Sequence, residues 1–406
     1  MHLFLNASAA DSASGLTYLR NVLPRLSASG NLHTTLLVKW RFRDEFADLP
    51  RVFILDAEIP NHPARRFLFE QTAMPKLIRR SGADVLVSAG NFALRKSPVP
   101  QILLSGNSLY TSGDFSRDLR ARREYRLWLD TRLKGFLALR SMRWADCTLA
   151  PSRAFAAELE GAAARYVSGV YHGFDPRIFF ADSQPLSREV QQKLDAGCGA
   201  LRLLFVSHYN YYRNFETLLR SIPLLRDRLH PQKVRAYLTC SFRRERNPGC
   251  HRTEAAAALV KRLSISEELV ELGPIPYRQV HQVYKQCDIY VTPAYAETFA
   301  HPLVEAMATG LPIVASDLPV HQEICERAAI YFHRFSPEDL CERVFEIHQS
   351  PELKQQLASR ALMRSQQFSW DEHVKQVVDI ASHMLAKPKE SARFHRSKLS
   401  LGARLL

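Results

Sequence analysis

The sequence lacks the long apolar segments of membrane proteins and the cysteine pairs of disulfide-rich or zinc proteins. No run reaches the roughly 18 apolar residues of a membrane span, and the N-terminal residues show no basic segment followed by an apolar core. Its seven cysteines are scattered without a Cys-X-X-Cys pair. We therefore expect a cytoplasmic protein with reduced thiols, no signal peptide and no transmembrane helix.

Several motifs that would assign other functions are also missing. No G-x-G-x-x-G follows the first predicted strand, which disfavours a dinucleotide oxidoreductase. The net charge of +14 favours anionic partners such as nucleotides, anionic lipids or nucleic acids. A nucleic-acid binder is disfavoured, because no helix-turn-helix, zinc or aromatic-platform motif occurs.

The dominant pattern is short apolar strands alternating with helical stretches, which predicts parallel sheets covered on both faces. In the first half we predict strands near His2–Leu5, Thr35–Lys39, Val52–Leu55, Asp84–Ser88, Gln101–Ser105 and Cys147–Ala150, with helices that include Gly15–Ser29, Arg65–Arg80 and Phe115–Trp144. In the second half the strands lie near Leu203–Ser207, Arg235–Thr239, Leu269–Leu272, Ile289–Thr292, Ile313–Ser316 and Ala329–Phe332.

We place two Rossmann-like domains at about 1–180 and 200–365, with a polar, glycine-containing seam at 181–200. Ser336 and Ser369 are predicted helix N-caps, and the helix at about 369–386 is expected to pack back on the first domain. The tail 387–406 carries six basic residues against one acid and no clear apolar stripe. It is predicted to be disordered or weakly attached to a surface.

The most informative segment runs from Ile289 to Glu323. It predicts a strand ending at Pro293, a loop of small residues, a helix from Pro302 and a C-cap at Gly310. A loop that rises from the carboxyl end of a strand into a helix N-terminus favours phosphate, because free amides and the helix dipole meet there.

Two glutamates flank this turn, Glu297 in the loop and Glu305 in the first helical turn. A carboxylate that accepts hydrogen bonds from vicinal hydroxyls is a usual way to hold a ribose or hexose. Taken alone, however, Glu297 also fits a solvated loop acid, and Glu305 an exposed acid favoured by the helix dipole.

In full, the segment resembles the donor-binding motif of glycosyltransferase family 4, which has the GT-B fold. The matching residues are Pro293, Glu297, Thr298, Phe299, Ala300, His301, Pro302, Glu305, Ala306, Met307, Ala308, Gly310, Pro312, Ile313, Val314 and Ala315. The resemblance continues in Asp146–Glu158, Val170–Phe179, Leu203–Ile222 and Val270–Val291, and it is specific over roughly 145–375.

The resemblance implies a role for each matching residue in binding a nucleotide sugar. Glu305 would hold the ribose, Glu297 would lie beside the donor sugar, and the diphosphate would meet Arg213 and His208. The start of the helix at Phe299, Ala300, His301 and Pro302 would face the sugar and the diphosphate, and Gly273 and Ile275 belong to the same donor site.

The chain also departs from the family pattern. His208 stands where an arginine is usual, Ala300 replaces the commoner glycine, and only Gly15 remains of a glycine pair after the first strand. Asn107 lies where many members have a His-Asp pair, and it is a candidate for hydrogen bonding to the sugar.

The resemblance implies a retaining glycosyltransferase that uses a UDP- or GDP-sugar and requires no metal, since no Asp-X-Asp triad occurs. The acceptor would be a glycan or lipid-linked, with bacterial surface polysaccharide as the setting. An epimerase or phosphorylase on the same fold, and an inactive sugar-nucleotide sensor, stay open.

The stretch Arg117–Arg143 carries nine basic residues and three acids, with Trp128, Leu133, Phe136 and Leu137 among them. It fits an interfacial amphipathic helix that contacts anionic membranes, or an ordinary domain helix with a solvated basic face. Arg213 as a surface cation, and His301 and His172 as structural residues, are further alternatives. Tyr209, Tyr211 and Tyr212 fit either the cleft or the core.

Overall fold

The computed structural model describes residues 1–10, 13–243, 245, 247 and 251–386, with only the backbone of residues 13 and 14. The predicted basic tail 387–406 lies outside these residues.

The first half of the chain forms a parallel sheet with helices on both faces. Its strands are β1 (His2–Asn6), β2 (His33–Leu37), β3 (Val52–Ile54), β4 (Val85–Ser88), β5 (Gln101–Leu104), β6 (Cys147–Ala150) and β7 (Ser168–Gly169). Its helices are α1 (Ala13–Ala28), α2 (Pro63–Thr72), α3 (Met74–Ser81), α4 (Gly113–Ala121), α5 (Tyr125–Ser141), α6 (Arg153–Ala163) and α7 (Pro176–Phe179). The strand order is β3-β2-β1-β4-β5-β6-β7.

The second half repeats this architecture. Its strands are β8 (Leu201–Phe205), β9 (Val234–Leu238), β10 (Leu269–Glu271), β11 (Ile289–Thr292), β12 (Ile313–Ser316) and β13 (Ala329–Phe332). Its helices are α8 (Arg188–Asp195), α9 (Phe215–Leu229), α10 (Glu254–Arg262), α11 (Val280–Tyr284), α12 (His301–Ala308), α13 (Pro319–Cys325), α14 (Pro337–Gln349), α15 (Pro351–Ser365) and α16 (Trp370–Ala386). The parallel strands run in the order β10-β9-β8-β11-β12-β13.

The predicted α/β class is confirmed, and each predicted strand is present; the pattern missed only the two-residue β7. In each sheet the strand order reverses beside the first strand, between β1 and β4 and between β8 and β11. The carboxyl ends of strands at such a reversal form a crevice where α/β proteins bind ligands.

Two predicted helices were wrong in extent. Arg65–Arg80 divides into α2 and α3, because Pro75 begins a new helix. Phe115–Trp144 divides into α4, α5 and a short 3-10 turn, with Arg123 at the first break in a left-handed conformation, φ 60°. The predicted caps are present, since the Ser336 hydroxyl accepts from the Asp339 amide at 3.1 Å and the Ser369 hydroxyl from the Asp371 amide at 3.1 Å.

Helix α16 packs on the first domain. Trp370, Val374 and Val377 of α16 are buried in the same apolar cluster as Leu19 and Leu23 of α1.

Polar side chains also join the domains beside the cleft. Arg122, just after α4, donates to Glu216 of α9 at 2.9 Å, and its guanidinium lies 4.1 Å from the centre of the Tyr211 ring. The Tyr295 hydroxyl donates to Asp118 at 2.6 Å. These contacts fix the loop after β11 relative to the first domain.

Candidate functional site

The loop between β11 and α12 lies at the carboxyl end of β11, next to β8, where the second sheet reverses its order. The helix begins at His301, one residue before the predicted start, and no side chain caps it. The first amides of a helix have no partners within it. This end of α12 therefore offers N–H groups and the positive end of the helix dipole to an anion, as predicted.

Ala300 adopts the left-handed conformation at this turn, with φ 62° and ψ 62°, and its side chain is buried. A side chain with a Cβ is strained there, and glycine is not. Ala300 therefore holds a conformation that favours glycine, at a cost in stability.

Arg213 and Glu297 form an ion pair, although they come from different segments. Arg213 ends the 3-10 turn Tyr211–Arg213 that follows β8, and Glu297 lies in the loop after β11. The side chains are 21% and 11% exposed. The buried Nε of Arg213 has no hydrogen-bond partner among the described residues. An arginine with five N–H groups and one carboxylate partner keeps donors for a second anion.

Glu305 is buried, and its carboxylate accepts a hydrogen bond from the Tyr284 hydroxyl at 2.9 Å. Burial raises the pKa of Glu305 to about 7, and the hydrogen bond from Tyr284 opposes this increase. The predicted first-turn position of Glu305 was wrong, because the helix begins at His301 and its first turn holds no acid. The sequence also gave no sign that burial would suppress the ionisation of Glu305.

Tyr290 of β11 is buried, and the charges of the site affect its pKa. Burial raises its pKa, the Glu305 carboxylate raises it further, and Arg213 lowers it. The charges of Glu305 and Arg213 thus have opposite effects on the pKa of this one buried hydroxyl.

His208, in the loop after β8, is exposed. Partial desolvation and the nearby charge of Arg213 lower its pKa. The imidazole is therefore mainly neutral at pH 7, and it adds no full positive charge beside Arg213.

His301 and His172 are half-buried in a cluster of rings between the domains. Their ring centres are 5.4 Å apart, with His172 Nδ1 and His301 Nε2 at 3.3 Å, and both rings contact Trp370. Burial lowers the pKa of His301 to about 4. The side chain of His301 thus packs as a neutral ring, and only its backbone belongs to the turn.

The remaining predicted residues have local structural contacts, and nothing in the structure assigns them to the site. The side-chain oxygen of Asn107 accepts from the Leu109 amide at 3.1 Å and caps a 3-10 turn. Gly15 lies in the first turn of α1, where a Cβ would come within 3.1 Å of Ala10 Cα. Gly273 has φ 79°, and Ile275 packs on the core of the second domain.

Two tyrosines near Glu305 were not among the predicted site residues. Tyr284 donates to its carboxylate, and Tyr277 follows Gly273 and Ile275 in the loop after β10. Burial and then the Glu305 carboxylate raise the pKa of Tyr277, although its side chain is 47% exposed. The similarity of Val270–Val291 to the family pattern includes Tyr284, and this was the available signal.

Residues 188–363 match the family described as Glycosyl transferases group 1. The D-inositol 3-phosphate glycosyltransferase of Streptomyces griseus is 25% identical over 200 residues, 48% of this chain and 42% of that protein. The O-antigen chain mannosyltransferase RfbU of Salmonella typhimurium is 30% identical over 93 residues, 22% of this chain and 26% of that protein. The chain thus spans less than half the length of these relatives.

Among solved structures, Anabaena HepE in complex with UDP-glucose is similar with a TM-score of 0.69 and 16% identity, over 94% of this chain and 100% of that chain. This likeness confirms the expected two-domain GT-B fold.

Proposed function

Since residues 188–363 match the family described as Glycosyl transferases group 1, we propose that the protein transfers a sugar from a nucleoside-diphosphate sugar to an acceptor held by the first domain. The observation that carries the proposal is the Arg213–Glu297 pair beside the amino end of α12, with the buried Glu305 in the same helix.

Each part of the donor meets a matching group. The amides of Phe299, Ala300 and His301 and the guanidinium of Arg213 bind the diphosphate. Glu305 accepts from the ribose hydroxyls in addition to Tyr284, because a carboxylate accepts several hydrogen bonds. The base lies against the loop that carries Gly273, Ile275 and Tyr277. The solved UDP-glucose complex on this fold supports a UDP-sugar.

Donor binding changes the partner of Arg213. A diphosphate carries more negative charge than one carboxylate, so it competes with Glu297 for the guanidinium. Glu297 then lies free beside the donor sugar, where it accepts from a sugar hydroxyl. During transfer, negative charge grows on the leaving diphosphate, and Arg213 with the helix amides stabilises it.

We further propose retention of the anomeric configuration without a required metal, with the leaving phosphate oxygen taking the proton of the acceptor. Proton NMR of the first product reports its configuration. Initial rates that fall in EDTA and recover with added Mg²⁺ would contradict metal independence.

The acceptor is proposed to be a glycan or a lipid-linked glycan of a bacterial surface polysaccharide, as the name of the O-antigen mannosyltransferase relative suggests. The proposed location is the cytoplasm, with contact to the inner face of the membrane. In the described part of the chain, no helix is both long and apolar enough to cross a bilayer.

Calorimetry with UDP, GDP, ADP, UDP-glucose and GDP-mannose tests donor binding. One nucleotide should bind, and a ligand at 100 times its Kd should stabilise the protein by about 2.7 kcal/mol. Failure to bind any nucleoside diphosphate would overturn the proposal. Binding without donor hydrolysis or transfer, across a panel of glycan acceptors, would instead indicate the inactive sensor.

A further inference from the structure

Helix α5 presents an apolar face to solvent. Tyr125, Leu129, Leu133 and Phe136 are 60%, 62%, 57% and 61% exposed, and their spacing of four, four and three residues places them on one side of a helix. The opposite side is buried and carries small residues, among them Gly135, where a Cβ would come within 2.9 Å of the Tyr110 carbonyl oxygen. The exposed face of α5 cannot turn inward, because this close contact fixes the rotation of the helix.

Arginines accompany this apolar face. Arg126, Arg132 and Arg140 are exposed on the same side of α5, as the helical period of 3.6 residues requires. The one acid of the helix, Asp130, pairs with Lys134 at 2.7 Å. The face thus combines large apolar side chains with net positive charge.

Part of the basic stretch predicted from sequence is paired with acidic side chains in the structure. Arg122 pairs with Asp118 and Glu216 at the domain interface, and Arg117 pairs with Asp114. The available surface is therefore the exposed face of α5, defined by Tyr125, Leu129, Leu133 and Phe136 with the three arginines, and not the whole range Arg117–Arg143.

We propose that the exposed face of α5 inserts into the headgroup region of an anionic bilayer, with the helix parallel to the membrane plane. Large apolar side chains beside arginines match a surface whose interior is apolar and whose headgroups are negative. A second copy of the chain fits less well, because a two-fold interface brings the same arginines of both copies together. The proposal is independent of sugar transfer, and it places the first domain against the lipid.

Vesicle sedimentation of the full chain tests this surface. The triple variant Leu129→Ser/Leu133→Ser/Phe136→Ser is compared with Tyr166→Ser/Leu362→Ser/Met363→Ser, a control that removes three exposed apolar side chains elsewhere. With vesicles of phosphatidylglycerol and phosphatidylcholine, wild type and control should bind alike, and the α5 variant at least tenfold more weakly. Equal binding by the α5 variant would overturn the proposal.

The arginines are tested separately with Arg126→Gln/Arg132→Gln/Arg140→Gln. This variant should lose most of the preference for anionic over pure phosphatidylcholine vesicles, and wild type should lose it in 1 M salt, where the Debye length falls to about 3 Å. Circular dichroism melting verifies that each variant is folded. A wild-type dimer in sedimentation equilibrium that the α5 serine variant abolishes, without vesicle binding, would assign the face to a second copy and refute the membrane contact.

Discussion

The substitution Glu305→Gln should raise stability and weaken nucleotide binding, and its effect on stability should depend on pH in a defined way. In the folded protein, burial raises the pKa of Glu305 from 4.5 to about 7. Below pH 4.5 the carboxyl is protonated in both the folded and the unfolded chain, so it contributes no difference. Between pH 4.5 and 7 the unfolded chain ionises and the folded chain holds its proton, so wild type loses stability as the pH rises.

The magnitude follows from the two pKa values. Each pKa unit corresponds to about 1.4 kcal/mol, so the full loss above pH 7 is about 3 kcal/mol. Glutamine does not ionise, and its carbonyl oxygen can accept from Tyr284. Any effect of the amide on the free energy of unfolding that does not depend on pH cancels when the difference between the two proteins is compared at two pH values. The advantage of Glu305→Gln over wild type in free energy of unfolding should therefore grow by about 3 kcal/mol between pH 4.5 and 8.

Urea denaturation at pH 4.5, 6, 7 and 8 measures this difference. Glu352→Gln is the matched control, since Glu352 is an exposed acid in the first turn of α15, and its difference from wild type should stay flat. Nucleotide affinity should fall about tenfold in Glu305→Gln, because hydrogen bonds to a charged acceptor are worth about 1.5–3 kcal/mol. A stability difference that does not change with pH would refute the suppressed ionisation of Glu305.

Three further substitutions address the turn and the ion pair. Ala300→Gly should raise the free energy of unfolding by about 0.5–1 kcal/mol in urea denaturation, because φ 62° strains a residue with a Cβ; a loss of stability would contradict this. Arg213→Ala should lower kcat/KM by the factor that corresponds to a loss of about 2–4 kcal/mol in transition-state stabilisation. Arg213→Lys should recover only part of that loss, and unchanged rates would remove Arg213 from the site. Glu297→Gln should tighten nucleoside-diphosphate binding several-fold in calorimetry while turnover falls, since it removes the carboxylate that competes for Arg213; weaker binding would contradict the competition.

The sequence predicted those features that depend on neighbouring residues. The strand, loop and helix of Ile289–Ala308 follow from an apolar run, small residues and Pro302, all within one short segment. The N-caps Ser336 and Ser369 are equally local. The parallel pairing of the strands also follows, because helical connections between strands favour it.

The sequence did not predict features that depend on contacts between distant segments. Arg213 and Glu297 were both candidates, but nothing in either segment indicates that they pair with each other. Glu305 was placed in the helix after the turn, yet its burial and its hydrogen bond from Tyr284 of α11 arise from contacts between distant segments. For the same reason the interspersed apolar residues of α5 did not show which side of the helix meets the domain.

The charges of the donor site are compensated in the free protein. Arg213 is paired with Glu297. Glu305 is buried, and burial raises its pKa to about 7, so that a large fraction of this carboxyl keeps its proton at neutral pH. In the proposed function, a bound nucleotide sugar would supply negative phosphate oxygens to Arg213 and ribose hydroxyls to the ionised form of Glu305. The free site therefore avoids isolated buried charge, and full charge separation develops only around a ligand whose own groups complete it. This is the arrangement expected if, as proposed, donor binding brings the positive charge of Arg213 onto the leaving diphosphate.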